Sequence, residues 1–249
     1  MRFHVEHLQK KIKEALNLSG SESNDITGRL ILFGRMIHSE NSKFNLTGHK
    51  TPEDILFNLI IDSLSPLNLA DVPRGTSAAD MGTGAGIPGI PLSILYSDIN
   101  FTLFDSNSKK IRFIEHAIRE LEIKNANAVC ARIEEASREN KYREHFGIVV
   151  SRAMSDIYMA SELCSPFVKP GGYIYLYVSE KQKQIPPPLV KHLADVSLET
   201  AGLTEYENSV YIKHSSGLLL KKTSPVADIY PRRISAIKRG AADIEKNRA

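Results

Sequence analysis

The chain has 249 residues, 42% hydrophobic and 24% charged, with a net charge of +3. That is enough apolar material for a sizeable core, as one large domain or one domain with an extension. No run approaches the roughly 18 consecutive apolar residues of a membrane span, and the charged start "MRFHVEHLQKKIKEAL" lacks the apolar centre of a secretory signal.

The two cysteines, Cys130 and Cys164, are too few for a disulfide framework and form no metal-type pair. A reduced, cytoplasmic compartment with no membrane attachment is therefore expected. Charge is unevenly spread: residues 1–75 are neutral, residues 76–211 carry −3, and residues 212–249 carry +6. A basic tail on a nearly neutral body suits a polyanion, although a solvated terminus would give the same pattern.

Phe3, Leu8, Ile12, Ala15 and Leu16 recur at helical spacing and predict a first helix. After "NLSGSESND", Asn24 or Asp25 can cap a second, running to about residue 41. A third starts near Thr51, with Pro52 in its first turn and Glu53 and Asp54 favouring its N-terminus. Residues 1–65 thus read as an N-terminal helical extension, and residues 66–249 as the main domain with a basic C-terminal segment. From residue 76, "TSAADM", "NFTLFD", "ANAVC", "FGIVVSR" and "GGYIYLYVS" alternate with helical patterns. Five such units imply an α/β fold with a parallel sheet covered on both faces.

Beyond them, "QIPPPLV" reads as a rigid loop edge, and "SVYIKHSSGLLLKKT" as an antiparallel pair of strands about a Ser-Ser-Gly turn. Tyr173, Tyr175 and Tyr177 alternate onto one strand face and are expected in the core. His4 and His7 could share a helix face, but two histidines alone are not a metal site. No metal is expected.

The stretch "ADMGTGAGIPGIPLSI" (residues 79–94) carries the chemistry. It lies at the first strand-to-helix turn, where ligands of open parallel sheets bind. Gly82 and Gly84 free the backbone for close approach, and Gly86 opens the helix. Both G-x-G-x-G and G-x-G-x-x-G can be read from this loop, so its glycines alone do not fix the ligand. Asp105 ends the second strand, 19 residues after Gly86, where a carboxylate accepts ribose hydroxyls. Asp80, two residues before the loop, disfavours a pyrophosphate and suits the ammonium of S-adenosylmethionine. Ile133 and Glu134, after the third strand, could flank an adenine. These residues favour S-adenosylmethionine and a methyltransferase.

The blocks "FNLTGHKTPEDILFNLIIDSL", "DMGTGAGIPGIPLSI", "LFDSNSKKIRFIEH", "ARIEEA", "VVSRAMS" and "YPRR" resemble, in order, those of the RsmG (GidB) family. The resemblance spans about residues 28–239. It implies a Rossmann-like class I methyltransferase fold with an N-terminal helical extension, S-adenosylmethionine as cofactor, and methylation of a guanine N7 in the decoding-region loop of 16S ribosomal RNA. Carried over by position, it implies cofactor contacts at Gly82, Ile87, Ile133, Glu134 and Arg152, with Arg152 at the reaction crevice as the catalytic candidate. An ion pair of Arg152 with Asp156 is the structural alternative. Asp105 and Gly84 join the cofactor set from the loop argument. Arg232, Arg233, Lys238 and Arg239 form the expected RNA-binding set, and a monomer acting on 16S rRNA or the small ribosomal subunit is expected. The chain departs from the family pattern at Leu59, where a histidine is common, at Tyr177–Ser179, where a lysine is common, and at "ISAIKRGA" after "YPRR".

Attack by guanine N7 needs no prior proton removal, so orientation and electrostatics can carry the chemistry. Cys164 falls late in a helix and reads as core. The rival readings are a nucleotide-dependent oxidoreductase and an RNA-binding ribosome-assembly factor that keeps the cofactor fold without the activity.

Overall fold

The computed structural model describes residues 2–64, 69, 72–152, 154, 156–179, 182–206 and 215–246. Helices α1 (Arg2–Leu16) and α2 (Ser23–Asn41) pack together, and a third helical run follows. That run begins as α3 (Pro52–Ile55), widens into a π-helical stretch (Leu56–Ile61) and closes as α4 (Asp62–Leu64). Its start follows from sequence: the Thr51 hydroxyl accepts the Asp54 N–H at 3.1 Å, and Pro52 occupies the first turn, where no N–H is needed. The expected cap of α2 is corrected. Glu22 takes the N-cap position without a side-chain bond, and Asn24 accepts from Lys13 Nζ at 2.7 Å, tying α1 to α2.

A seven-stranded sheet follows, in the order β3-β2-β1-β4-β5-β7-β6. Strands β1 (Ser77–Met81), β2 (Asn100–Asp105), β3 (Ala126–Cys130), β4 (Phe146–Ser151) and β5 (Val168–Val178) are parallel. Helices α5 (Gly89–Leu95), α6 (Ser108–Glu120), α7 (Ile133–Ala136) and α8 (Ile157–Cys164) connect them. Every residue of β4 is buried, as a central strand covered on both faces requires. The chain leaves β1 in one direction to β3, then returns to β4 on its other side. The strand order therefore reverses between β1 and β4, which is where such sheets bind ligands.

Two apolar layers flank the sheet. One joins the helical extension to α5 and α6: Ile12, Leu30, Phe33, Ile60, Ile90 and Ile114 are all fully buried in it. Phe33 stacks on Phe113 at 6.4 Å, and the Arg29 guanidinium donates to Leu121 O at 2.8 and 3.1 Å. Leu121 lies at the C-terminal end of α6, whereas Phe33 closes on Gly86 beside the glycine loop. Helix α2 thus climbs from the amino edge of the strands towards their carboxyl edge. The other layer holds α8, Phe104, Phe146 and Phe167.

Several expectations are corrected here. "QIPPPLV" is no loop edge: Pro187 opens helix α9 (Pro187–Asp195), which buries Leu189, His192 and Leu193. The edge pair is β6 (Leu198–Tyr206) with β7 (Ser215–Lys222), so the Ser-Ser-Gly run lies inside a strand. The "SVYIKH" of the expected first strand falls on residues 209–214, outside the described residues. The basic tail forms helix α10 (Ile234–Lys246).

Gly217 shows why a glycine stands in mid-strand. A Cβ there would lie 1.7 Å from the hydroxyl of Tyr175, which is 2% exposed and bonded to Thr204 at 2.8 Å. Gly217→Ala should displace that ring and cost about 1–3 kcal/mol of stability, read as a lower urea midpoint. An unchanged midpoint would mean that the tyrosine has somewhere else to go.

Candidate active site

The glycine loop leaves the carboxyl end of β1 and is fixed by two carboxylates. Asp80 Oδ2 accepts the Thr83 hydroxyl at 2.6 Å and the Gly89 N–H at 2.8 Å. Gly89 is obligatory there, because a Cβ would stand 2.7 Å from Leu103 and 2.8 Å from the Asp80 oxygen. Asp80 Oδ1 has no partner among the described residues, and the side chain is fully buried. Burial raises its pKa from 3.8 to about 7. Asp80 therefore braces the loop from below, which corrects the expectation that its charge faces the ligand.

The second carboxylate, Asp105, ends β2. Its Oδ2 accepts the Gly84 N–H at 3.0 Å, its Oδ1 accepts the Asn107 N–H at 2.8 Å, and Lys110 Nζ lies 3.6 Å away. Gly84 adopts φ +60°, the left-handed region that turns its N–H onto this carboxylate. Helix α6 is capped by Asn107, whose side chain accepts the Lys109 N–H at 2.9 Å, so Asp105 is not consumed as a cap.

Beside this pair opens a cleft of about 750 Å³, within the range of small-molecule sites. Four sequence-predicted residues, Gly82, Asp105, Ile133 and Glu134, line it together. Sequence reasoning missed Lys110, Met154, Asp156 and Met159, and most of one wall: Ile234, Ala241 and Ala242 of α10, beside Lys238, which was expected on RNA instead. The helical spacing of Ile234, Ile237, Ala241 and Ile244 was the available signal. Helix α10 docks on α8 at Gly240, where a Cβ would fall 2.2 Å from the Tyr158 hydroxyl.

The other expected site residues lie elsewhere. The Gly84 N–H is spent on Asp105, and Ile87, 6% exposed, packs into the core; neither lines the cleft. Arg152 stands at the carboxyl end of β4 but turns from the cleft. Its Nη1 donates to Leu59 O and its Nη2 to Asp62, both at 2.7 Å, and its guanidinium lies 5.7 Å from the Tyr177 ring centre. Its carboxylate partner is thus Asp62 of the helical extension, rather than Asp156, which caps α8 through Met159 N–H. The Tyr177 hydroxyl donates to Ser63 O on the same extension.

Arg232 is also corrected as a free RNA contact. It binds the fully buried Glu162 through Nε and Nη2, the shortest contact being 2.6 Å, and donates to the Tyr158 hydroxyl at 3.0 Å. Arg233 and Arg239 are exposed, whereas Lys238 belongs to the cleft wall. Cys164 is fully buried, and burial raises its thiol far above its ordinary value. Cys130 is exposed at the end of β3.

A family model described as rRNA small subunit methyltransferase G matches residues 27–187. A curated protein of Desulfitobacterium hafniense, named ribosomal RNA small subunit methyltransferase G, is 32% identical over 92% of this chain and 94% of its own. A Clostridium botulinum protein of the same name is 32% identical over 91% of this chain and 98% of its own. One from Lachnoclostridium phytofermentans is 45% identical over 57% of this chain and 58% of its own. Among solved structures, a Pyrococcus horikoshii protein superposes with a TM-score of 0.50 at 13% identity. It covers 63% of this chain and 61% of its own, a likeness of fold.

The buried Asp80 gives a pH test. Its carboxyl binds a proton more tightly folded than unfolded, so the folded state is favoured at low pH. That advantage is whole below pH 3.8 and is withdrawn as pH rises towards 7. Relative to Asp80→Asn, the wild-type chain should lose stability across that window, by at most about 1.4 kcal/mol per pH unit. Denaturant titrations of both proteins between these limits check it, and a constant difference would mean that Asp80 ionises normally.

Proposed function

The chain belongs to the rRNA small subunit methyltransferase G family, and we propose that it transfers a methyl group from S-adenosylmethionine to N7 of a guanine in the decoding-region loop of 16S ribosomal RNA. The observation that carries this reading is the Asp105 carboxylate, locked beside the glycine loop at the mouth of a cleft on the switch point of the sheet. The cleft fits the cofactor. Gly82 lines it, and a Cβ there would come within 3.3 Å of Met154 Cγ. Asp105 would accept ribose hydroxyls, and Ile133 and Glu134 would flank the adenine. Family membership displaces the oxidoreductase reading.

When bound, the cofactor would supply a methyl carbon activated by its sulfonium, with the neutral thioether as leaving group. The N7 lone pair lies in the ring plane, so no residue need take a proton before attack. The chain's task is alignment, with a carboxylate near the base as it becomes cationic. Asp156, at the N-cap of α8, lines the cleft and would feel such charge. Neither cysteine serves as a nucleophile: Cys164 is sealed in the core, and Cys130 is outside the cleft lining. We assign Arg152 to holding the helical extension against the crevice through Leu59 and Asp62. Arg233 and Arg239, both exposed, would meet RNA phosphates.

Two measurements test the reading. Asp105→Ala should weaken S-adenosylmethionine binding roughly tenfold or more in calorimetry, the loss expected of hydrogen bonds to a charged acceptor. Unchanged affinity would remove the ribose assignment. Incubating the protein and cofactor with unmodified small-subunit RNA, then mapping N7-methylguanine, should reveal one new site in the decoding region. Binding of both ligands without methyl transfer would instead support an assembly factor that keeps the fold.

A further inference from the structure

A second cavity, of about 710 Å³, lies outside the cofactor cleft, between the C-terminal end of α2 and the loop of residues 42–50. We propose that it is an RNA docking subsite that takes the sugar-phosphate backbone flanking the target base. The proposal rests on the reading of ribosomal RNA as substrate.

The cavity is built rather than incidental. Asn41 holds its loop with all four of its side-chain hydrogen-bonding positions. Its Nδ2 donates to Thr47 O and His49 O, both at 3.0 Å, and its Oδ1 accepts the Leu46 N–H at 2.8 Å and the Thr47 N–H at 3.0 Å. Leu46, 8% exposed, anchors the loop in the core. The chemistry of the lining is that of a nucleic-acid backbone site. His38, Ser39, Ser42, Asn45 and Lys50 contribute imidazole, hydroxyl, amide and ammonium groups, and no carboxylate lines the cavity among the described residues. Such groups bind phosphate oxygens and ribose hydroxyls. Asp54 of the following helix is engaged by His49 Nδ1 at 2.8 Å and by Asn58 Nδ2 at 2.5 Å.

Position supports the same conclusion. Helix α2 passes Leu121 near its start and Gly86 at Phe33, so its last turn reaches the carboxyl edge of the sheet, where the cofactor cleft opens. A strand whose target base enters the crevice would continue along that edge to this cavity.

The test uses the full chain, with a 16S rRNA fragment spanning the decoding loop and intact unmodified small subunits as probes. The double variant His38→Ala, Lys50→Ala should raise KM for the fragment roughly tenfold. Turnover at saturating RNA and affinity for S-adenosylmethionine should stay at the wild-type level. The log–log salt slope of RNA binding should fall by about 0.7, one phosphate contact on a single strand, and Lys50→Arg should keep it. Asn45→Asp, which places a carboxylate on the exposed rim, should raise KM without altering thermal stability. Unchanged KM and salt slope in both variants would overturn the subsite while leaving the methyltransferase reading intact. A KM rise with subunits but not with the fragment would overturn it in favour of a protein contact. Failure of the wild-type chain to act on either RNA would remove the functional reading, and the subsite with it.

Discussion

Two aspartates at the ends of neighbouring parallel strands hold the geometry of the site. Pairing of Met81 with Phe104 in the β1–β2 register brings Asp80 and Asp105 to either side of one glycine loop. Asp80, below, gathers Thr83 and the start of α5; Asp105, above, takes the Gly84 N–H and keeps a face on the cleft. Their environments divide the labour. Desolvation, reinforced slightly by the nearby Asp105 charge, drives Asp80 towards the neutral form. Asp105 has Lys110 beside it and two backbone donors. One carboxyl braces the loop and the other is available to bind.

The parallel strands and their order of appearance were legible, because short apolar runs alternating with helical patterns have few other solutions. The Asp105–loop spacing was legible because it follows from one strand-helix-strand unit. What escaped depends on partners distant in sequence. Nothing local distinguishes an arginine aimed at a ligand from one aimed at a buried glutamate 70 positions away, which is the case for Arg232 and Glu162. The prolines of "QIPPPLV" suggested a loop, yet proline is as compatible with a first helical turn, and the burial of Leu189 and Leu193 settles the segment as a helix. Gly217 looked like a turn residue because its actual cause, the Tyr175 ring, comes from another strand.

Two residues far apart in sequence, Leu59 and Tyr177, meet in space. Leu59 offers its carbonyl to Arg152, and Tyr177 places its ring beside the same guanidinium while bonding Ser63. The end of β4, the fifth strand and the helical extension thus share one joint, satisfied by a carboxylate, a carbonyl and an aromatic face. The joint also explains why the extension behaves as part of the body: the core runs without a break from Ile12 and Phe33 into the sheet.

The cleft is lined both by Gly82, near the start of the main domain, and by Ala241 and Ala242 of α10, near its end. Nearly the whole main domain lies between these positions along the chain. The site is consequently complete only when residues far apart in the chain have been brought together, and closing so long a loop carries an entropic cost. A small molecule captured there binds the completed fold and not its precursors, so its concentration sets how far the equilibrium leans to the native state. Occupancy by a metabolite then acts as a clasp across the two ends of the domain.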